Sequence, residues 1–377
     1  KELAGKENAE ESVAGFTAYL DKFNLYVSNP DKRINQVTTD GSKDIVYASS
    51  VHRDEFGISK GTFWSNKGTR LAFYRMDQGM VTDYPIIDWT ERPAKADLIK
   101  YPMAGDKSHH VRVGVYNTET ETTIWLKTGQ PADQYLTNIA WSPDDKYVFI
   151  AVLNREQNHL KLNQYDVSSG EFVKTLFEEK DEKYVEPLVP MLFLKSNPSQ
   201  FIWQSNRDGW NQLYQYDING KLIRQLTKGN WEVLDVKGFD TKGENLFFVS
   251  TILSAVNKSL CAVNLKTGKI TTITPQPGVH SAQVSADGTA ILDVFSTIDN
   301  PRTIQIMDIK KPGKTGPKTL LQADNPLKDY AATELSLFTI KNKSGDSLFC
   351  RLFKPANFSG DKKYPVIVYW YGGPHAQ

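Results

Sequence analysis

The sequence predicts an all-β fold, a β-propeller of four-stranded blades, and three observations carry that expectation. Six segments share one form: a short apolar strand, an Asp or Asn, a turn rich in Gly or Lys, and a second strand. Their Asp/Asn positions are Asn29, Asn117, Asp166, Asp217, Asn264 and Asp308, separated by 88, 49, 51, 47 and 44 residues. Between them lie matching strand pairs around tight turns, such as W-S-P-D-D and S-A-D-G, so each period of about 45–50 residues holds four short strands. A sandwich or a set of unrelated hairpins would show turns every 8–12 residues or so, without that superperiod.

Taken in order, residues 1–12, KELAGKENAEES, are polar and charged, and 1–15 read as a solvated or disordered end. The blade pattern opens at Phe16–Val27 part-way through a unit, so one or more blades are expected before residue 1. The propeller region is expected over 16–323. Its first repeat is LYVSNPDKRINQVT, and GTFWSNKGTRLAFYRMD and VGVYNTETETTIWL follow; the long first interval fits two units, or one unit carrying an insertion. NIAWSPDDKYVFIAVLN with LNQYDVSSGEFVKTL, FIWQSNRDG with LYQYDINGKLIRQL, KGFDTKGENLFFVST with LCAVNLKTGKITTI, and AQVSADGTAILDVFS with IQIMDIKKPGKTGPKTLL supply the later blades. After Leu321 the pattern changes. ELSLFTIKNKSGDSLFCRLFKPANF (334–358) alternates around a Lys-Ser-Gly-Asp turn, as a hairpin does. A buried strand is then expected from Val366 to Tyr371, running into a Gly-Gly-Pro turn, the way an α/β-hydrolase builds the loop beside its nucleophile. Residues 324–377 therefore read as the start of an α/β-hydrolase domain, with the boundary near Asp324 to Tyr330. No G-x-S-x-G elbow follows the strand and none is read in the earlier residues, so the nucleophile is expected outside the sequence.

Composition narrows the function classes. The 377 residues are 40% hydrophobic and 24% charged with a net charge of +1, ordinary for a soluble globular chain and giving no basic face for nucleic acid. No apolar run of about eighteen residues suggests a membrane span, and no leader pattern opens the chain. Cys261 and Cys350 lie in β-like apolar segments without metal-ligand spacing and read as small hydrophobes. His109-His110 lack a third ligand at useful spacing, so no metal is expected. His52, beside Arg53 and Asp54, reads equally as a cavity or a surface residue. Asp144 and Asp287 sit in turns, where Asp caps backbone N–H groups. His375 stands too early to be the histidine of a hydrolase triad, which comes last in that fold.

A propeller feeding into a hairpin, a K-x-Y-P strand and Y-G-G-P resembles the prolyl oligopeptidase clan. DEFGISKGTFWS (54–65) narrows the resemblance to the dipeptidyl peptidase IV family, where a similar segment places an acidic pair on a short helix projecting into the central cavity. MVTDYPIIDW, KYPMAGDKSHHVRVGVYN and TKGNWEVLDV extend the likeness over nearly the whole chain, closest to dipeptidyl and prolyl tripeptidyl peptidases of the Bacteroidetes type. The family's propeller is eight-bladed, which implies that the first blade or blades are missing here. The resemblance implies that Glu55 and Asp54 bind the substrate, with Glu55 the principal contact because Asp54 is one methylene shorter and reaches about 1.5 Å less far. It also implies that Tyr371 donates its hydroxyl to the oxyanion of the tetrahedral intermediate, Gly372 and Gly373 serving only backbone geometry. The family's carbonyl-holding arginine would precede residue 1 and the serine, aspartate and histidine of the triad would follow residue 377.

The residue chemistry fits such an exopeptidase. A free α-ammonium, with a pKa of about 7.7–8.0, is largely charged at neutral pH. A carboxylate pair meets it with charge-assisted hydrogen bonds of roughly 1.5–3 kcal/mol each. The expected function is the substrate-gating, amine-anchoring propeller of a serine peptidase that removes N-terminal di- or tripeptides after Pro or Ala. One more residue needs only about 3.3–3.6 Å of depth, so both product lengths stay open. The alternative is a non-enzymatic propeller scaffold, which has no use for an oxyanion-type turn. No cofactor is expected. The partners expected are peptides with a free N-terminus, with neither nucleic acid nor a membrane span. By resemblance, the full-length protein would form a homodimer and be periplasmic or secreted.

Overall fold

The computed structural model describes residues 6–309, 316–331 and 333–373. It divides into two compact units, residues 1–209 with 213–225, and 210–212 with 226–377. The first holds four blade-sized antiparallel sheets and one two-stranded hairpin. Sheet one is β1 (Glu7–Glu11), β2 (Thr17–Asp21), β3 (Asn24–Ser28) and β4 (Ile34–Gln36), paired in chain order. It corrects two expectations. Residues 7–11 are ordered by ladder pairing, Glu10 opposite Ala18 and Glu11 opposite Thr17, which outweighs their polar composition. The blade does not open part-way through a unit, because β1 completes four strands.

Sheet two contains β5 (Ile45–Tyr47), β6 (Thr62–Trp64), β7 (Arg70–Asp77), β10 (His110–Asn117) and β11 (Thr122–Trp125), with β8 (Asp83–Asp88) and β9 (Lys95–Lys100) forming a separate hairpin between β7 and β10. The 88-residue interval is therefore one unit with insertions. Sheets three and four are β12 (Tyr135–Trp141), β13 (Tyr147–Leu153), β14 (His159–Asp166) and β15 (Phe172–Lys180), then β16 (Leu192–Leu194), β17 (Asn197–Ser205), β18 (Gln212–Asp217) and β19 (Leu222–Gln225).

The second unit carries β20 (Val233–Phe239), β21 (Asn245–Ser250), β22 (Ser259–Asn264) and β23 (Ile270–Thr272), and then β24 (Val279–Val284), β25 (Ala290–Ser296), β26 (Thr303–Asp308) and β27 (Lys318–Gln322). Each sheet is a propeller blade. The repeat's Asp/Asn stands where the third strand gives way to the fourth, and at Asn117, Asp166, Asp217 and Asn264 its side chain closes that turn. Asp166 Oδ1 accepts from the Ser168 and Ser169 N–H groups at 2.9 and 3.0 Å, and Asn264 Oδ1 from Lys266 and Thr267 at 3.1 and 2.9 Å. Asp144 and Asp287 cap their turns likewise.

The apolar cores lie between successive blades. One joins Ala72, Tyr74 and Val113 of blade two to Leu136, Val148 and Ile150 of blade three; another joins Phe149 and Leu160 to Phe201 and Trp203; a third, in the second unit, joins Phe247 and Leu260 to Ala282 and Ile291. The middle strands thus read as near-continuous apolar runs, as in YVFIAVL of β13. Cys261 is one of these buried residues and Cys350 is half-buried; both thiols are free.

Beyond β27, β28 (Glu334–Lys341) pairs with β29 (Ser347–Lys354) around a turn closed by Asn342 N–H to Asp346 O at 3.0 Å, as expected of 334–358. The buried strand expected at Val366–Tyr371 does not form. No described strand pairs with it, and Ile367 is 94% exposed, because an extended segment becomes a strand only when a neighbour takes up its N–H and C=O groups. Pro374 and His375 lie outside the described residues.

Candidate functional site

β5 and β6 are two halves of one interrupted edge strand. Both pair with β7, and between them Tyr74 bonds both ends of an excursion: the Ala48 N–H donates to Tyr74 O and the Tyr74 N–H to Gly61 O, each at 3.0 Å. The neck is tight enough to require glycine. A Cβ on Gly61 would lie 2.2 Å from Ser49 O, which explains the glycine of the DEFGISKGTFW pattern. Three apolar side chains pin the excursion from below. Val51 and Ile58 are buried in the core between blades two and three, and Phe56 in the core between blades three and four. The alternation leaves Arg53, Asp54 and Glu55 as an exposed tip.

The tip is not the expected short helix. His52, Arg53 and Asp54 have φ of 54°, 58° and 62°, a single left-handed turn in which Glu55 N–H bonds His52 O at 3.2 Å. Left-handed backbone costs roughly 1–2 kcal/mol per non-glycine residue, so the surrounding contacts must hold it. Glu55 follows in an extended conformation and lines a cavity of about 670 Å3 with Arg53, Tyr101, Asp133, Tyr135 and Arg155. Asp54 faces a smaller recess of about 130 Å3 beside Lys100 and Met76. The two carboxylates thus sit against different recesses. A larger cavity of about 890 Å3, lined by Asp21, Lys22, Lys43, Asp44 and Lys100, contains neither of them.

Under the tip lies a polar and aromatic network absent from the sequence expectations. His52 is 3% exposed and His109 is 4% exposed, so neither is a surface residue. Their Nδ1 and Nε2 atoms are 2.8 Å apart, and the Leu136 N–H donates to His52 Nε2 at 3.1 Å. The His52 ring meets Tyr135 edge-on, Phe56 leans on the same tyrosine, and the Tyr135 hydroxyl accepts from Arg155 and from Gln157. Arg53 lies over the Tyr101 ring, 5.2 Å from its centroid. Burial lowers both imidazoles, His52 well below the ordinary 6.5 and His109 to about 4, helped by Arg155 near each. His52 and His109 stand 57 residues apart, so no local spacing announced them. Among the described residues no group of three His, Cys, Asp or Glu side chains is arranged to hold a metal.

Tyr371 belongs to the second unit and is 68% exposed. Its ring folds back over the next turn, so that a Cβ on Gly373 would lie 2.3 Å from the hydroxyl. A G-x-S-x-G string does occur in the chain, at Gly57-Ile58-Ser59-Lys60-Gly61, but it leads into β6, not a helix, and so lacks the strand-to-helix frame of a nucleophile elbow.

Residues 11–302 match the family model of the dipeptidyl peptidase IV N-terminal region. The chain belongs to the dipeptidyl peptidase IV family. Dipeptidyl peptidase 4 of Arthroderma otae is 29% identical over 96% of the chain and 48% of its own length, and that of Trichophyton rubrum is 28% identical over the same shares. Among solved structures, a Bacteroides ovatus protein described as a candidate dipeptidyl aminopeptidase IV superposes with a TM-score of 0.89 at 43% identity, over 99% of this chain and 55% of that one. Porphyromonas gingivalis dipeptidyl peptidase 4 gives 0.84 at 25%, over 95% and 51%. The chain spans about half the length of these dipeptidyl peptidase IV relatives. The excursion from blade two, which carries Asp54 and Glu55, lies within the matched residues.

Proposed function

We propose that this chain is the substrate-binding part of a serine exopeptidase that removes N-terminal di- or tripeptides, with Glu55 pairing with the substrate's α-ammonium and Asp54 as the lesser contact. The observation that carries the reading is Glu55 on the wall of the 670 Å3 cavity, on a tip pinned by Val51, Phe56 and Ile58. A fixed anion at a set distance from the nucleophile makes such an enzyme count residues from the amino end. Tyr371 is the oxyanion donor of this proposal, and cleavage follows Pro or Ala. The triad lies outside the 377 residues. A homodimer of the full-length protein, in the periplasm or outside the cell, completes the proposal; among the described residues no helix is long and apolar enough to cross a membrane.

The test is kinetic, on the full-length enzyme. Glu55→Gln keeps the shape and removes the charge, so kcat/KM on substrates with a free N-terminus should fall roughly tenfold to several hundredfold, the equivalent of about 1.5–3 kcal/mol. Asp54→Asn should cost less. A Glu55→Gln enzyme working at the wild-type rate would move the anchor to another carboxylate.

A further inference from the structure

We propose that His52 and His109 are positioning residues: two neutral imidazoles that hold the left-handed tip, and with it Glu55, at the cavity wall; the link to catalysis rests on Glu55 being the amine anchor. The direction of every proton follows from one backbone group. The Leu136 N–H can only donate, and it donates to His52 Nε2 at 3.1 Å, so that nitrogen presents its lone pair. The His52 proton is then on Nδ1, which donates to His109 Nε2 at 2.8 Å, and the His109 proton is on its own Nδ1. Leu136 lies on β12, the first strand of blade three, and its carbonyl also faces blade two, accepting from the Tyr74 hydroxyl at 2.8 Å. Both of its outward backbone groups are therefore satisfied by side chains of the neighbouring blade, which a buried strand edge requires. His52 thus binds three segments together: its own tip, the stretch before β10, and β12. It is also the first residue of the left-handed run. The lowered basicity of both rings keeps them in the neutral forms that the relay needs.

The test uses the 377-residue chain with Glu55→Gln, His109→Phe and His109→Gln. Histidine-detected nitrogen NMR of the unsubstituted chain should show His52 with its proton on Nδ1; a proton on Nε2 overturns the proposal. His109→Phe fills the space but takes no hydrogen bond, so amide exchange over residues 51–57 should quicken by about tenfold or more, while β7 and β13 keep their protection. His109→Gln, whose amide oxygen can accept in place of Nε2, should restore exchange to within about threefold. Equal exchange in Phe and Gln variants, or none changed, overturns the proposal. Binding of Ala-Pro-Ala amide, against its N-acetyl form, separates this from the anchor reading. If exchange behaves as stated but Glu55→Gln leaves binding of the free-amine peptide unaltered, the relay stands and the anchor falls.

Discussion

At the scale of single residues, protonation is the variable most open to experiment. A histidine whose folded pKa lies below its ordinary value contributes stability fully above about 6.5, and that contribution drains away as pH falls toward about 4, where the folded state also takes up the proton. The His52–His109 pair should therefore loosen the tip between those limits, each tenfold loss of proton affinity on folding being worth roughly 1.4 kcal/mol. The charged and titratable groups around the pair are Arg53, Arg155 and the adjoining His110, with the acids Glu55, Asp106 and Asp133 in the same cavity wall. Protection factors over 51–57, corrected for the fall of the intrinsic exchange rate with pH, should decline steadily from pH 7.5 to 4.5, and His109→Gln should flatten much of that slope. Tyr371 makes a different kind of prediction. A donor that acts only on a developing oxyanion affects the transition state, so Tyr371→Phe in the full-length enzyme should lower kcat and leave KM nearly unchanged, with a loss of about 2.7–4 kcal/mol at most. A rise in KM alone would remove the tyrosine from that role. The Asp54-Glu55 segment stood out in the sequence because its motif is local. The bed beneath it did not, because Tyr135, Arg155 and His109 come to it from other parts of the chain.

At the scale of elements, the repeat was legible for a physical reason: in blades two to five the third-to-fourth strand turn uses an Asp or Asn to satisfy the same backbone donors, and that need recurs from blade to blade. Polar composition misled at residues 7–11, where strand pairing outweighs it, and apolar composition misled at 366–371, where no ladder is available. Blade six holds a different device. His280 and Asp293 are wholly buried with Nδ1 and Oδ2 2.8 Å apart, Gln305 donates to the same oxygen at 2.9 Å, and His280 Nε2 lies 3.1 Å from the Gln276 carbonyl. Asp293→Ala would leave His280 Nδ1 and the Gln305 amide without their shared partner inside the blade, so the second unit should lose about 1–3 kcal/mol, read by urea unfolding with probes on β24–β26. Asp293→Asn, which keeps an acceptor, should cost less. Equal stability in both variants would make the pair incidental.

At the scale of the whole molecule, the proposal places an amine anchor and an oxyanion donor in this chain and the nucleophile and base outside it, whereas an acyl-enzyme needs all of them together. The 377-residue polypeptide should therefore release no chromophore from a Gly-Pro or Ala-Ala-Pro amide; turnover blocked by a serine-directed phosphonate would contradict that. The two compact units divide the chain within the run of repeats, at residues 209–226, a division that the uniform repeat pattern gave no sign of.

The neck of the blade-two excursion has a consequence for how such proteins can change. Because Ala48 and Gly61 both bond to Tyr74 and abut one another, the intervening residues are a detour whose length the sheet never registers. Excising residues 50–60 and joining Ser49 to Gly61 should leave β5 and β6 in register with β7 while lowering stability in urea unfolding, because Val51, Phe56 and Ile58 leave the inter-blade cores and the Leu136 N–H loses its acceptor. A segment that can be swapped without re-registering the sheet is a cassette. Its exposed residues 53–55 can drift in sequence while the apolar side chains that seat it, and the strand pairing beneath, stay as they were.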